Sequence, residues 1–450
     1  MAKHNNYLRN DPFFPFSQVN IDGKFYKNLL EPIIKSLSMP GKDKKSKHSS
    51  QEFAITMLLN GLRGFSPNLG TQIMERQLQS LLQGKIEKYI KQTRILPHPS
   101  QMNKYAHEFS MEDVDNKLLE INRHVLKQLR EFRLIPKTLK IAFDYKKQLY
   151  YGKKDDPHVI GILAEKGTKK AFKWHTCAIV IKGLELQVGS KMIRKGEKKG
   201  PFIREMIEYL ESLGFTIELS VMDKEYHVKE VFKYLNAIGI TYITPVKDSK
   251  TLKALKEESL KDPALRVRKY RIKDGYQRGK GYKYYTHEIG FYAKRNKDFN
   301  KLRSQYKNKT REKKDILSDI FVLASNQEFC APIVKKKHKF YKVRGDYKSR
   351  WRIETSYREV IPFISYSTSK IPKIRNLYFI VALLLYNLWV IMNVLLHEKK
   401  SWQPKEPRLL FSIYLQDVFF LVLQVRIGVD PPDSEFCRTE EIKDMGCIII

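Results

Sequence analysis

The chain has 450 residues, and its apolar fraction of 42% is that of a globular protein with room for a sizeable core. Lys and Arg total 84 against 49 Asp and Glu, a net charge of +35. Self-repulsion on that scale disfavours a compact chain without a polyanionic partner, and nucleic acid is the first candidate, ahead of a membrane surface.

Four cysteines, at 177, 330, 437 and 447, show no C-x-x-C spacing and no paired histidine pattern, so neither a structural zinc site nor a disulfide framework is suggested. The expected setting is a reducing cytosol, since the N-terminal MAKHNNYLRNDPFFPF lacks the apolar run of a signal peptide.

Residues 1–135 read as a basic helical region. Lys42–Lys47 is a solvated linker or a phosphate-contacting arm. Ser49-Ser50-Gln51-Glu52 has the form of a capping box ahead of a helix through Met57, Leu58 and Leu62, with Gly64 as its stop. Further helical spacing covers Asn68–Leu82 and Met111–Phe132. Between them, Ser100 is placed to cap a short helix carrying Gln101, Asn103 and Lys104, either half of a helix-turn-helix or plain helical packing.

At Thr138 the period changes to two. Leu139–Asp144 predicts a strand ending on an aspartate, followed by strands at Val159–Leu163 and Ala171–Ile181. Phe202–Leu213 is expected as a helix closed by Gly214, and Thr216–Asp223 as a second strand ending in Asp. A helix at 227–237 and a strand at Ile240–Pro245 complete an α/β unit. Strands alternating with helices imply a three-layer core spanning 136–250.

Residues 251–345 are expected as a β-rich insertion, with period-two runs at Arg266–Ile272 and Tyr282–Tyr292 and a strand at Asp319–Ser325. Their interleaved lysines, arginines and tyrosines suit a nucleic-acid backbone with base stacking, or else charged edge strands. Residues 346–400 return to helix and 401–450 form a tail. Leu377–Leu396 has no charge over a length that would span a bilayer, but Asn387 and Asn393 interrupt it, so a buried core helix with Ser369 near its start is expected rather than a membrane anchor.

The stretch Asp346–Glu359 carries the chemistry. Tyr347, Arg350, Glu354 and Arg358 recur at intervals of three and four, which predicts one helical face. Asp144 and Asp223 at strand ends, joined by Glu354 from a later helix, supply the oxygen ligands that a two-metal phosphoryl-transfer site requires. Asp155, Asp156 and Glu225 compete for these roles, although Asp155-Asp156-Pro157 looks like turn chemistry.

Tyr347-x2-Arg350-x3-Glu354, preceded by Phe143-Asp144-Tyr145 and Met222-Asp223-Lys224-Glu225-Tyr226, resembles the DDE transposases of prokaryotic insertion sequences. The resemblance is to the insertion-sequence-four-like group, whose signature is Tyr-x2-Arg-x3-Glu-x6-Lys, and it covers roughly residues 136–396. It implies an RNase H-like core interrupted by the β-rich insertion, with Asp144, Asp223 and Glu354 as catalytic ligands of two Mg²⁺ ions, for which Mn²⁺ substitutes. It further implies that Tyr347 and Arg350 contact DNA phosphates. Arg358 is a stand-in for the signature lysine, since Ile361 occupies that position, and Trp351 either stacks on a displaced base or packs in the core.

The partners implied are double-stranded DNA, as terminal inverted repeats and as target, and a second copy of the chain. The implied place is the cytoplasm, at the nucleoid. A nuclease without strand transfer and a non-catalytic DNA-binding derivative are the alternatives.

Overall fold

The computed structural model describes residues 31–38, 48–62, 64, 66–82, 96–131, 133–153, 155–181, 184–277, 281–294, 297–327 and 337–396. The Lys42–Lys47 run, Cys330, Cys437, Cys447, the 401–450 tail and the Trp351 side chain lie outside the described residues.

The helical N-terminal region comprises α1 (Glu31–Leu37), α2 (Ser50–Leu62), α3 (Pro67–Leu82), α4 (Pro99–Glu108) and α5 (Met111–Glu131). The expected capping box at α2 forms, with the Ser49 amide donating to the Glu52 carboxylate and the Glu52 amide to Ser49 Oγ at 3.3 Å. The cap of α4 differs from expectation. His98, not Ser100, is the N-cap: its ring accepts from the Ser100 amide at 3.2 Å, and Gln101 Oε1 accepts from the His98 amide at 2.9 Å. An imidazole nitrogen serves here as the acceptor that a serine hydroxyl usually provides. The apolar stripe Val114, Leu118, Ile121, Val125, Leu126 and Leu129 sets the buried face of α5.

Then come β1 (Thr138–Leu149), β2 (Ile160–Glu165), β3 (Thr168–Ile181), β4 (Leu184–Met192), α6 (Gly200–Ser212), β5 (Thr216–Met222), α7 (Lys229–Ala237) and β6 (Thr241–Pro245). The remaining elements are α8 (Lys250–Lys261), β7 (Val267–Gln277), β8 (Gly281–Ala293), α9 (Phe299–Lys307), α10 (Lys313–Ser318), β9 (Ile320–Ser325), α11 (Lys337–Lys348), α12 (Arg350–Val360) and α13 (Pro372–Leu396).

All the described strands join one mixed sheet in the order β2-β3-β1-β5-β6-β9-β8-β7, with β4 also paired to β3. Strands β1, β5 and β6 are parallel neighbours, while β3 runs antiparallel to β1 and β4 to β3. Across the 251–345 stretch the sheet is continuous: β9 pairs antiparallel with β6, and β8 and β7 extend it. The stretch is also less purely β than its period-two runs imply, because α8, α9 and α10 pack together over β8 and β9 through Leu252, Leu260, Leu302 and Ile316.

Helices cover both faces of the sheet. On one side Leu139, Ile141 and Phe143 of β1 join a core with α5, α6, α7 and α13; on the other, Ala142, Val221 and Ile243 pack against Phe340 and Val343 of α11 and Ile353 and Tyr357 of α12. This division follows from strand geometry, since successive side chains point to opposite faces.

Helix α13 is long and apolar enough to cross a membrane, but 89% of its most hydropathic window is buried inside the protein. Two of its buried asparagines are matched there. Asn387 accepts from the Gln187 amide at 2.8 Å and donates to the Gln187 carbonyl at 2.7 Å, and Asn376 accepts from Trp174 Nε1 at 2.8 Å. These bonds fasten α13 to β3 and β4, as expected of a core helix.

An acidic site bridged by arginine at the end of β5

Asp144 and Asp223 come together because β1 and β5 are parallel and in register, Phe143 standing opposite Met222. One step further on, the Asp223 amide donates to the Phe143 carbonyl at 3.1 Å. Asp144 does not end its strand, as the alternation had suggested; β1 continues to Leu149, paired only with β3 beyond the point where β5 stops. An aspartate one residue past a neighbour's end is therefore set on a strand with one open side. Asp223 does follow its strand and stands at the start of a 3₁₀ turn over Lys224–Tyr226, yet its side chain makes no cap hydrogen bond, so capping does not consume the carboxylate.

The pleat decides what Asp144 faces. Lys140, Ala142, Asp144 and Lys146 alternate onto the side covered by α11 and α12. Lys140 meets Asp346 at 3.2 Å, Asp144 meets Arg350 at 3.1 Å, and the Lys146 ammonium lies 5.1 Å from the Tyr357 ring centre. The opposite side chain, Tyr145, stacks on Tyr226 at 4.7 Å.

The stretch 346–359 is not a single helix. It breaks at Ser349, whose amide and hydroxyl both donate to the Asp346 carbonyl, at 3.1 and 2.6 Å. Closing three residues back in place of four tightens the turn and interrupts the α ladder. Tyr347 thus belongs to α11, and Arg350 and Glu354 to α12. Across the break Arg350 Nε still donates to the Tyr347 hydroxyl at 2.8 Å.

Arg350 is the centre of the arrangement. Its Nη1 donates to Asp144 Oδ2 at 3.1 Å and its Nη2 to Glu354 Oε1 at 2.6 Å, while only 12% of its side chain is exposed. Burial opposes its charge, but Tyr347, Asp144 and Glu354 outweigh that and fix the guanidinium as a cation. Asp144 is 6% exposed, and burial pushes its carboxyl up to about 6. Arg350 and the Tyr145 amide, which donates to Oδ1 at 2.8 Å, work against that rise; Asp223 and Glu354 add to it by repulsion. The three acids therefore share one electrostatic neighbourhood. Glu354, with 40% of its side chain exposed, opens it to solvent.

Hydroxyls brace the site from below. Thr176 Oγ1 donates to the Asp144 carbonyl at 3.1 Å and contacts the Tyr357 hydroxyl, and Gln187 Nε2 donates to Ser356 Oγ at 2.9 Å. These contacts hold α12 against β3 and β4.

Arg358 is exposed one turn past Glu354, and Ile361 is 53% exposed in the 3₁₀ turn that follows α12. Glu225, two residues past Asp223, is held by Lys199 at 3.2 Å. Sequence patterns had not singled out Lys146, Lys199 or Lys247, whose proximity to the acids depends on the sheet; their only sequence signal was the general excess of lysine.

Among the described residues no three His, Cys, Asp or Glu side chains are grouped to hold a metal ion. The donor set nevertheless suits a hard divalent cation, being all carboxylate, and it already holds one cation, the Arg350 guanidinium, between Asp144 and Glu354. Asp144, Asp223 and Glu354 are the residues that would hold Mg²⁺.

No protein-family model matches the chain, and no curated protein matches it. Among solved structures it is similar to a piggyBac transposase synaptic complex with hairpin DNA, at 11% identity over 95% of this chain and 83% of that one, with a TM-score of 0.47. A Drosophila P element transposase strand transfer complex is similar at 10% identity over 94% of this chain and 90% of that one, with a TM-score of 0.22.

Proposed function

We propose that the chain is a DNA transposase, a divalent-metal-dependent polynucleotidyl transferase that cleaves and joins strands at the ends of an insertion sequence. One observation carries this reading: Asp144 and Asp223 from adjacent parallel strands and Glu354 from a helix more than a hundred residues later share one acidic, half-open site. The order β4-β3-β1-β5-β6, an antiparallel meander followed by two parallel strands, supports an RNase H-like core for it.

In this reading water opens a phosphodiester at the element's end, and the freed 3′-hydroxyl attacks target DNA in the same site. Bound Mg²⁺ would activate the attacking oxygen and steady the leaving one. The chain's own residues orient the strand. Arg350 exchanges its carboxylates for a phosphate, Tyr347 sets the guanidinium's angle, and Arg358 provides the exposed positive charge that Ile361 does not. The +35 net charge supports DNA, as terminal repeats and as target, with a second copy of the chain pairing two ends.

One observation favours a non-catalytic DNA-binding derivative as the second reading: Arg350 already neutralises two of the three acids. Incubating the protein with a donor end, a target plasmid and Mg²⁺ or Mn²⁺ separates the possibilities. Joined products lost in Asp144→Ala, Asp223→Ala and Glu354→Ala are expected. Cleaved ends that never join would indicate a nuclease, and DNA binding without any metal-dependent cutting would indicate the derivative.

A further inference from the structure

The far edge of the sheet carries a ribbon with two unlike faces. Strands β7 and β8 pair from Val267 opposite Gly290 to Gln277 opposite Gly281, and β7 ends the described sheet. Residues directly opposite each other share a face. Tyr270 with His287 and Ile272 with Tyr285 therefore form one side of the ribbon, and Lys269 with Glu288, Arg271 with Thr286 and Lys273 with Tyr284 form the other.

The first side is committed to the fold. Tyr270 lies on the His287 ring at 5.7 Å, the Tyr285 hydroxyl meets that of Tyr242 at 3.2 Å, and Asp274, at the ribbon's bulge, is held by Lys229 and Lys233 of α7 at 3.4 and 2.5 Å. Arg268 is matched by Glu258 at 2.6 Å. The second side is open: Lys269, Arg271, Lys273 and Thr286 are exposed, and Tyr284 is 48% exposed. Three cations share it with one acid, Glu288. Lysine on an edge strand also discourages pairing with another sheet. That role does not require cations sorted onto one face, nor an exposed tyrosine among them.

The pairing register carries this open side back to the acidic site. Ala142, Val221, Ile243, Ser325, Glu288 and Lys269 stand in one row, each opposite the next. Ala142 and Asp144 are on the face covered by α11 and α12, and the row places Lys269 on that face too. Tyr292, on the same side of β8 as Tyr284, stacks on Phe340 of α11 at 4.3 Å and joins the cluster that contains Ala142. The strand spacing puts Lys269 about 24 Å along the row from Ala142. That is the length of about seven base pairs of duplex. Over this span α11 leaves Lys342 and Lys348 exposed.

Resting on the proposed DNA reading, we infer that the outer face of the β7–β8 ribbon, through Lys269, Arg271 and Lys273, holds the phosphate backbone of a DNA duplex about seven base pairs from the phosphate at the acidic site. The contact does not depend on sequence, since cations and a tyrosine hydroxyl meet phosphate oxygens and need no base edge. A second hold at that distance fixes the direction of the duplex, which one site alone cannot do.

Salt dependence of binding to a fluorescently labelled duplex of about 25 base pairs, measured without divalent metal, tests this apart from catalysis. Each phosphate contact adds about 0.9 to the slope of log K against log salt, so between about 50 and 200 mM the affinity loss should shrink about 3.5-fold for Arg271→Gln, and about 40-fold when Lys269→Gln and Lys273→Gln are added to it. Arg271→Lys should keep the parent slope. The control removes the same charge from the opposite side of the sheet: Lys253→Gln, Lys301→Gln and Lys314→Gln together, exposed on α8, α9 and α10, should leave the slope at the parent value. Equal slopes in the two triple variants, or a parent slope in the ribbon variant, would overturn the inference while duplex binding still supports the transposase reading. A ribbon effect in a protein that never cuts DNA supports the inference and counts against the catalytic reading. A parent chain that binds no duplex overturns both.

Discussion

Arg350 and Asp144, 206 positions apart in the chain, meet at 3.1 Å, and the same guanidinium reaches Glu354 at 2.6 Å. A planar fork can bridge two carboxylates where a single ammonium cannot. Arg350→Ala would leave a nearly buried carboxylate without its counter-charge and should cost about 3 kcal/mol in urea denaturation at neutral pH. Arg350→Lys should recover only part of this. Parent stability in the alanine variant would mean that the bridge is incidental.

The Asp144 carboxyl, raised to about 6 chiefly by burial, has a stability consequence of definite sign. Its folded value exceeds the unfolded one, near 3.9, so the folded protein holds the proton more tightly. The ionisation cost is absent below about pH 4, grows as pH rises, and is fully present above about 6. Asp144→Asn should accordingly be more stable than the parent at pH 7.5, by on the order of 1–2 kcal/mol, with the difference vanishing near pH 4. Thermal unfolding across that range checks it, and an asparagine variant less stable at pH 7.5 would contradict it. A site residue whose native form lowers stability is one kept for its charge.

Tyr357 and Thr176 connect α12 to β3 through their hydroxyls, directly behind the Asp144 carbonyl. Tyr357→Phe keeps the ring in the core and removes only that contact, so a loss of about 1 kcal/mol is expected. If Tyr357 also positions α12, DNA joining should fall further than stability does. Parallel measurement of unfolding and of joined product separates the two effects.

Asn387 satisfies both the amide and the carbonyl of Gln187 from inside the most apolar helix. Asn387→Leu keeps the volume but leaves the buried Gln187 amide unmatched, while the Gln187 carbonyl keeps Asn122 at 2.8 Å, so a cost of about 1–3 kcal/mol is expected. Hydrogen exchange at the Gln187 amide, protected in the parent and exposed in the variant, would locate that loss on β4.

Much of this architecture could be read from residue periodicity. Strands β1, β3, β5 and β6, the helices α2, α5 and α6, and the buried character of α13 all follow from spacing and from Gly and Ser at element ends. Strand β4 was not foreseen: Leu184–Met192 contains Gly189, and only Lys182-Gly183 separates it from β3 in the sequence. The break at Ser349 was equally invisible: no Pro or Gly marks it, and the helical spacing runs through it undisturbed. At α4 the usual ranking of capping residues favoured Ser100 over His98, whereas backbone geometry selected the imidazole.

Placement was legible where role was not. Alternation along β1 put Asp144 on one face, and the recurrence of Arg350 and Glu354 put both on one side of α12. That Arg350 bridges the two acids requires α12 to lie across β1, a packing fact without local signature. Lys146, which the β1 pleat turns toward the Tyr357 ring, and Lys199, which meets Glu225 at 3.2 Å, were still less visible, since the general excess of lysine hides both.

The position of α13 in the chain has a consequence for biosynthesis. Its partners β4 and α5 lie 200 and 265 residues earlier, as its bonds to Gln187 and Asn122 record, and α2 lies earlier still. During translation those elements emerge with their apolar faces uncovered and stay so until Pro372 and the residues after it leave the ribosome. The N-terminal region is therefore completed by one of the last described elements to be made, and the nascent protein passes through a long, sticky, highly cationic intermediate. For such a chain, the interval between synthesis of β4 and synthesis of α13 is when chaperones matter most.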